Sequence, residues 1–455
     1  MTNSERTIFA PATPIGESSI TVIRVSGKDT FDILSRVFSK KADEFVKVDF
    51  PALQTHTVHH GYLFDGGKFI DEVVVTVFKS PNSYTGEDVA EISSHGGSFI
   101  YKKISDLLVK FGCDHAEPGE FSRRAFLNSK IDLAQAEAIA DLIRAKTELS
   151  TKAALSQLKG VLSSVISELR NDLINYCSLV ELELDFSEEG LEIVAKDKLL
   201  SGIDIIIQRI DRMAKSYDSG RIIHDGVNLT IAGKPNAGKS TLFNYLLNEN
   251  RAIVSHIPGT TRDYLQEPLV MGGLVFNLVD TAGLRESGDY VEAEGVRRSY
   301  SKIAKADIVL NVIDLTQNDG SAMKNEFDDI VSNKIITVYN KMDILKPANS
   351  GALSISALTG ENMDLLQRRI VDKAKSLIQG EEASEIYITN QRHRACLLKS
   401  CEYLVNARKL VINEAGNELI SFEIREALNA LGEIIGKTTN VDILNNIFSK
   451  FCIGK

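Results

Sequence analysis

Eight residues, Gly233-Lys234-Pro235-Asn236-Ala237-Gly238-Lys239-Ser240, have the spacing of a loop that wraps a chain of phosphates. Its glycines let backbone N–H groups turn inward on an anion, and a helix opening directly after the loop adds the positive end of its dipole. In that arrangement Lys239 reaches the β- and γ-phosphates and acts in catalysis. The Ser240 hydroxyl ligates Mg²⁺, and Asn236, Ala237, Gly238 and Thr241 complete the phosphate contacts. The flanks agree: Val227–Ala232 reads as a strand and Thr241–Leu247 as an amphipathic helix.

A second group reads the base. Asn340-Lys341-Met342-Asp343 follows the apolar run Ile335–Tyr339 and lies 102 positions beyond the loop lysine (341 − 239). The Asp343 carboxylate suits the paired donors of guanine, and adenine would leave it unpaired. Asn340 helps hold the base edge, the stem of Lys341 covers it, and Ser356-Ala357 fits an accessory base loop. Asp280-Thr281-Ala282-Gly283 closes the strand Leu274–Val279, with the carboxylate near Mg²⁺ and the Gly283 N–H facing the γ-phosphate. Thr260-Thr261-Arg262-Asp263 continues the Gly/Pro-flanked loop that begins Ser255-His256-Ile257-Pro258-Gly259, and a threonine there reaches Mg²⁺ only when the γ-phosphate is present, as a switch requires. The ligand is therefore GTP. Leu284 stands where Ras-like enzymes carry a glutamine that orients water, so another group must do that work. Glu286, Asp289, Glu292 and Glu294 are the acids within reach in sequence.

These motifs need a scaffold. At 455 residues, 43% apolar and 25% charged, the chain has room for about three globular domains. The net charge of −10 means that any nucleic-acid contact must use a local basic patch. Five scattered cysteines without a C-x-x-C pair suggest reduced thiols in the cytoplasm, and no apolar run reaches membrane-spanning length. Residues 1–125 mix strands (Ile20–Val25, Glu72–Phe78) with a helix near 98–111, an α/β pattern. Residues 126–222 are helical throughout, Leu127, Ile131, Ala134, Ala138, Leu142 and Ala145 marking one continuous face. Residues 223–380 alternate strand and helix, as a doubly wound parallel sheet requires. Helical pattern returns over 381–455. The expected fold is multidomain, α/β plus all-α, with the nucleotide domain inserted into a helical bundle.

The nucleotide motifs, in this order and with these neighbours, resemble the TrmE-Era-Era-like GTPases. Three further segments are similar to the tRNA-modifying branch of that family: Pro81–Asp88 (PNSYTGED), Pro118–Asn128 (PGEFSRRAFLN) and the terminal Phe451-Cys452-Ile453-Gly454-Lys455. The resemblance implies a homodimer that works with the flavoprotein MnmG as a heterotetramer. The pair would add an aminomethyl or carboxymethylaminomethyl group to carbon 5 of the wobble uridine of tRNA. It implies K⁺ held by Asn236 and by Ser255, Ile257 and Thr260, Mg²⁺ on Ser240 and Thr261, and Glu292 as the acid that orients the attacking water. It also implies an N-terminal tetrahydrofolate-binding domain in which Arg24, Glu91, Lys130 and the terminal Lys455 meet a 5-formyl-tetrahydrofolate or a related folate; read from the residues alone, Arg24 ends a strand, Glu91 follows one and Lys130 sits on a helix.

Two other classes share part of this pattern. A ribosome-assembly GTPase has the nucleotide motifs without the N-terminal domain or the C-x-G-K end. A one-carbon transferase with a regulatory nucleotide domain is the other alternative. Cys452 lacks an assignable base and reads as structural or as part of the folate pocket rather than as a nucleophile. His56, His59 and His60 alternate along a strand, which does not favour a metal site.

Overall fold

The computed structural model describes residues 6–185, 196–250, 266–280, 304–317, 333–346, 352–378 and 387–454. By contact density the chain divides into two units. One comprises residues 1–140, 157–174 and 428–455, the other residues 141–156 and 175–427.

In the first unit, short β-branched runs build a seven-stranded sheet. Its strands are β1 (Ile8–Pro11), β2 (Ile20–Ser26), β3 (Phe38–Ser39), β4 (Thr57–Asp65), β5 (Lys68–Phe78), β6 (Val89–His95) and β7 (Asp114–His115), in the order β3-β4-β5-β6-β2-β1-β7. All neighbours are antiparallel except β1 and β7. Alternation decides the faces. Val73, Val75 and Val77 of β5 turn into a core shared with Ile23, Val25 and Ile92. Helices α1 (Thr30–Val37) and α2 (Ser98–Lys110) supply Phe31, Leu34, Ile104, Leu107 and Leu108 to the same core. The register sets Arg24 of β2 directly opposite Glu91 of β6.

The expected helical face across residues 127–145 is broken. Helix α3 (Glu120–Leu127) ends before α4 (Leu133–Arg144) begins. Ser129 adopts a left-handed φ of 56° and the Lys130 N–H returns to the Ala125 carbonyl at 2.8 Å, which stops α3. Asp132 and Gln135 then cap α4 reciprocally, at 2.9 and 3.0 Å. Lys130 therefore sits in a turn rather than on a helix.

Further helices are α5 (Glu148–Leu158), α6 (Val161–Asp185), α7 (Lys196–Lys215) and α8 (Tyr217–Asp225). In the second unit α8 runs through Gly226 into β8 (Val227–Ala232), the middle of a five-stranded sheet ordered β12-β11-β8-β10-β9. Its other strands are β9 (Gln266–Met271), β10 (Leu274–Asp280), β11 (Ile308–Asp314) and β12 (Ile335–Asn340). The sheet is parallel except at one edge, where β9 folds back on β10 through Gly272-Gly273. A two-residue glycine connection of positive φ is what an antiparallel hairpin needs. Helices α9 (Lys239–Asn250) and α10 (Met363–Ile378) contribute Leu242, Leu246, Leu366 and Ile370 to the core beside Leu229, Ile231 and Leu310. The remaining helices among the described residues are α11 (Gln391–Ile412), capped by the Asn390 side chain, α12 (Asn417–Ile435) and α13 (Val441–Phe448). Among the described residues no helix is long and apolar enough to cross a membrane.

Candidate functional site

The phosphate loop lies where the central strand β8 hands over to α9. The turn takes positive φ at Asn236 (64°) and Gly238 (90°), and α9 opens at Lys239. Gly238 is required twice over. Its backbone is left-handed, and a Cβ there would strike the side-chain amide of Asn340. The first N–H groups of a helix have no intrahelical partner, so Ser240 and Thr241, exposed in the first turn of α9, offer backbone donors and hydroxyls together. Lys239 folds over the loop, its ammonium donating to the carbonyls of Gly233 (3.0 Å) and Lys234 (2.8 Å). This cradle of amides and one ammonium, with a serine hydroxyl beside it, fits a triphosphate carrying Mg²⁺.

The base motif is tied to that cradle by one buried side chain. Asn340, 3% exposed, donates through Nδ2 to the Ala237 carbonyl at 2.9 Å and accepts through Oδ1 from the Ala357 N–H at 3.0 Å. Its amide thus joins the phosphate loop, the base motif and the accessory loop. Ser356, fully buried, accepts from the Thr359 N–H at 3.1 Å and keeps the accessory loop closed. Lys341 adopts a left-handed φ of 72°, and its ammonium donates to Asp314 Oδ2 at 2.6 Å. Burial works against the Asp314 carboxylate, but hydrogen bonds from Lys341 and Thr316 outweigh it and hold the pKa below the usual carboxylate value. Asp343 is exposed at the rim. The sequence points to Ala237, Asn340, Lys341, Asp343, Ser356 and Ala357 but not to Thr316, Thr359 or Asp314, and the only signal for Asp314 is its place at the end of the strand beside β12.

Asp280 closes β10 opposite Ile231 of β8, which brings it to the same end of the sheet as the phosphate loop. Ser255, His256, Ile257, Pro258, Gly259, Thr260, Thr261, Thr281, Ala282, Gly283, Leu284, Glu292 and Lys455 lie outside the described residues.

A second constellation forms in the first unit. Arg24 lies within β2 rather than at its end, and Glu91 lies within β6 rather than after it, because both strands run longer than their apolar runs suggest. The Arg24 guanidinium donates twice to Glu91 Oε1, at 2.8 and 3.0 Å, and once to the Gly454 carbonyl at 3.3 Å. It is flanked by the rings of Tyr84 (5.1 Å) and Phe121 (5.7 Å). Tyr84 shares a hydrogen bond with Ser122 at 2.8 Å. Burial pushes its hydroxyl up, against the Ser122 hydrogen bond and the Arg24 charge.

The two segments 81–88 and 118–128 are laced together. Arg124, 5% exposed, bridges Glu87 (3.0 Å) and Glu120 (2.9 Å), and Asn128 donates to the Thr85 carbonyl at 2.7 Å. Lys130 meets the same loop from the turn after α3, its ammonium donating to the Pro81 carbonyl at 2.9 Å. The C-terminal segment returns here: Phe448 and Phe451 pack with Leu133 and Ala136, and the Gly119 N–H donates to the Cys452 carbonyl at 3.4 Å. An arginine and a carboxylate side by side, walled by two rings, suit a flat heterocycle with amide-like edges, and a lysine nearby suits its carboxylate tail. Tyr84 and Phe121 were not foreseen as individual contacts, although the segments that carry them were.

His60 pairs with Glu72 at 2.6 Å and His59 with the Thr57 hydroxyl at 2.8 Å. Burial raises the Cys113 thiol to about 12, and Cys177 and Cys396 are likewise buried. Cys452 is exposed.

Comparison with known proteins matches two family models. Residues 7–130 match the GTP-binding protein TrmE N-terminus, and residues 133–452 match the MnmE helical domain. Curated relatives described as tRNA modification GTPase MnmE align over nearly the whole chain. The protein from Chlorobaculum tepidum is 43% identical, covering 98% of this chain and 97% of its own. The protein from Chlorobium phaeobacteroides is 44% identical over the same shares. The one from Aquifex aeolicus is 41% identical, covering 98% of this chain and 99% of its own.

Proposed function

The chain belongs to the MnmE (TrmE) family of tRNA-modification GTPases and is a GTPase of tRNA modification, and from that premise we propose that it is a potassium-activated GTP hydrolase acting with MnmG on carbon 5 of the wobble uridine. The observation that carries the nucleotide half of this reading is the Asn340 side chain, which joins the phosphate loop to the guanine motif at 2.9 Å. Lys239 holds the β/γ-phosphates, Ser240 and Thr261 hold Mg²⁺, and Glu292 orients the attacking water in place of the glutamine that Leu284 replaces. Asn236 with the carbonyls of Ser255, Ile257 and Thr260 holds K⁺. Bound there, a monovalent cation would offset the negative charge that develops at the β/γ-phosphates in the transition state.

The one-carbon half rests on the Arg24 constellation. Arg24 and Glu91 face the edge of a tetrahydrofolate, Lys130 and Lys455 its carboxylates, and Tyr84 and Phe121 its flanks. In this reading residues 1–125 bind folate and dimerise, 126–222 and 381–455 form the helical domain, and 223–380 form the GTPase domain of a cytoplasmic homodimer. The pairing of folate cradle and nucleotide site in one chain favours the tRNA-modifying reading over a ribosome-assembly switch, which needs only the second. A nucleoside profile of tRNA from cells lacking the gene tests it. Loss of C5-modified wobble uridines is expected, and an unchanged profile overturns it.

A further inference from the structure

We propose that Asp314 is a positioning residue for guanine recognition, acting through Lys341. The proposal rests on reading Asn340–Asp343 as the base motif and deepens that reading. Asp314 ends β11 directly opposite Asn340 at the end of β12, so the two parallel strands deliver it beside the motif. The side chain is 6% exposed, whereas that of Lys341 is 28% exposed. Its two oxygens are divided cleanly. Oδ1 accepts from both the backbone N–H (2.9 Å) and the hydroxyl (2.7 Å) of Thr316, and Oδ2 accepts from the Lys341 ammonium at 2.6 Å.

A lysine stem is flexible, and a flat base needs a wall held in one place. Anchoring the ammonium at one end selects one path for that stem. The other end is set by the left-handed backbone of Lys341, which is held by hydrogen bonds from Met342 N–H to the Ile355 carbonyl (3.1 Å) and from Ile344 N–H to the Lys341 carbonyl (3.0 Å). Asp314 therefore organises the base-covering stem before nucleotide arrives, which lowers the ordering cost of binding.

The test is a double-mutant cycle on the full chain, titrated with a fluorescent N-methylanthraniloyl-GDP. Asp314→Asn and Lys341→Met are each expected to weaken binding by roughly tenfold, the scale of one charged hydrogen bond. The double variant should bind no more weakly than the worse single one. At saturating GTP, kcat should hold while KM rises, a split that a general loss of structure would not produce. Losses that multiply in the double variant, or an Asp314→Asn that binds GDP as wild type does, overturn the proposal. Thr316→Val loosens Asp314 without removing it and serves if Asp314→Asn does not fold. It should weaken GDP binding in the wild-type background and have no effect in Lys341→Met, and equal losses in both also overturn it. Asp343→Asn separates the underlying reading. If that variant does not shift preference from GDP towards XDP, the base motif itself is misread. If it does and the cycle is additive, only the role of Asp314 fails.

Discussion

The guanidinium of Arg24 donates to the Gly454 carbonyl at 3.3 Å, joining residues 430 positions apart. The contact brings Gly454 onto the face of the sheet that carries Glu91. Gly454 has a φ of 91°, and a Cβ there would strike the Pro11 carbonyl, so this approach is open only to glycine. Neither end of the chain builds the cradle alone.

Substituting Glu91 should therefore affect folate binding without affecting GTP hydrolysis. Glu91→Gln keeps the shape and removes the charge facing Arg24, breaking a half-buried pair at a cost of about 1–3 kcal/mol. Binding of 5-formyl-tetrahydrofolate, measured by calorimetry, should fall at least about tenfold. GTP hydrolysis should stay at the wild-type rate. Unchanged folate affinity would show that this face is not the folate site.

Asn340→Ala removes both arms that join Ala237 and Ala357. It leaves a buried carbonyl and a buried N–H unpaired, each worth about 1–3 kcal/mol. GDP affinity should drop by more than about a hundredfold, together with a lower midpoint of denaturant unfolding for the nucleotide domain. A Gly238→Ala variant should lose nucleotide binding through its clash with the same side chain, and adding Asn340→Ala should relieve part of that clash. Independent effects of the two changes would contradict the contact.

His224 sits between two carboxylates, with Nε2 2.9 Å from Asp141 and Nδ1 2.6 Å from Asp225, just before β8 begins. Hydrogen bonds, Asp141's foremost and then Asp225's, raise its pKa from 6.5 to about 10. A folded value above the unfolded one means that the protonated form stabilises the fold. That contribution is complete below about pH 6.5 and is lost as the pH rises towards 10. The urea midpoint of the wild type should fall between about pH 7 and pH 10, and His224→Gln should flatten that fall. Parallel pH profiles for the two proteins would rule the contribution out.

The nucleotide site was legible in the sequence because its signals are local. Gly233–Ser240 carries its own turn chemistry, and Val227–Ala232 and Leu274–Val279 are apolar runs that became β8 and β10. What stayed hidden depends on pairing between distant strands. Nothing near Arg24 in sequence announces Glu91, because their meeting is set by the β2–β6 register. Asp314 looks like any residue ending a buried strand until β12 lies beside it. Lys130 was misplaced because Leu127, Ile131 and Ala134 keep helical spacing across a real break, and the turn formed by Asn128 and Ser129 overrides that spacing.

The most direct measurement is the GTP hydrolysis rate of the purified chain in K⁺ and in Na⁺, for wild type, Asn236→Ala and Glu292→Ala. Wild type should be fast only in K⁺, and Asn236→Ala should lose that stimulation. Glu292→Ala should bind nucleotide normally and hydrolyse it poorly. Equal rates for the wild type in the two salts would contradict the account.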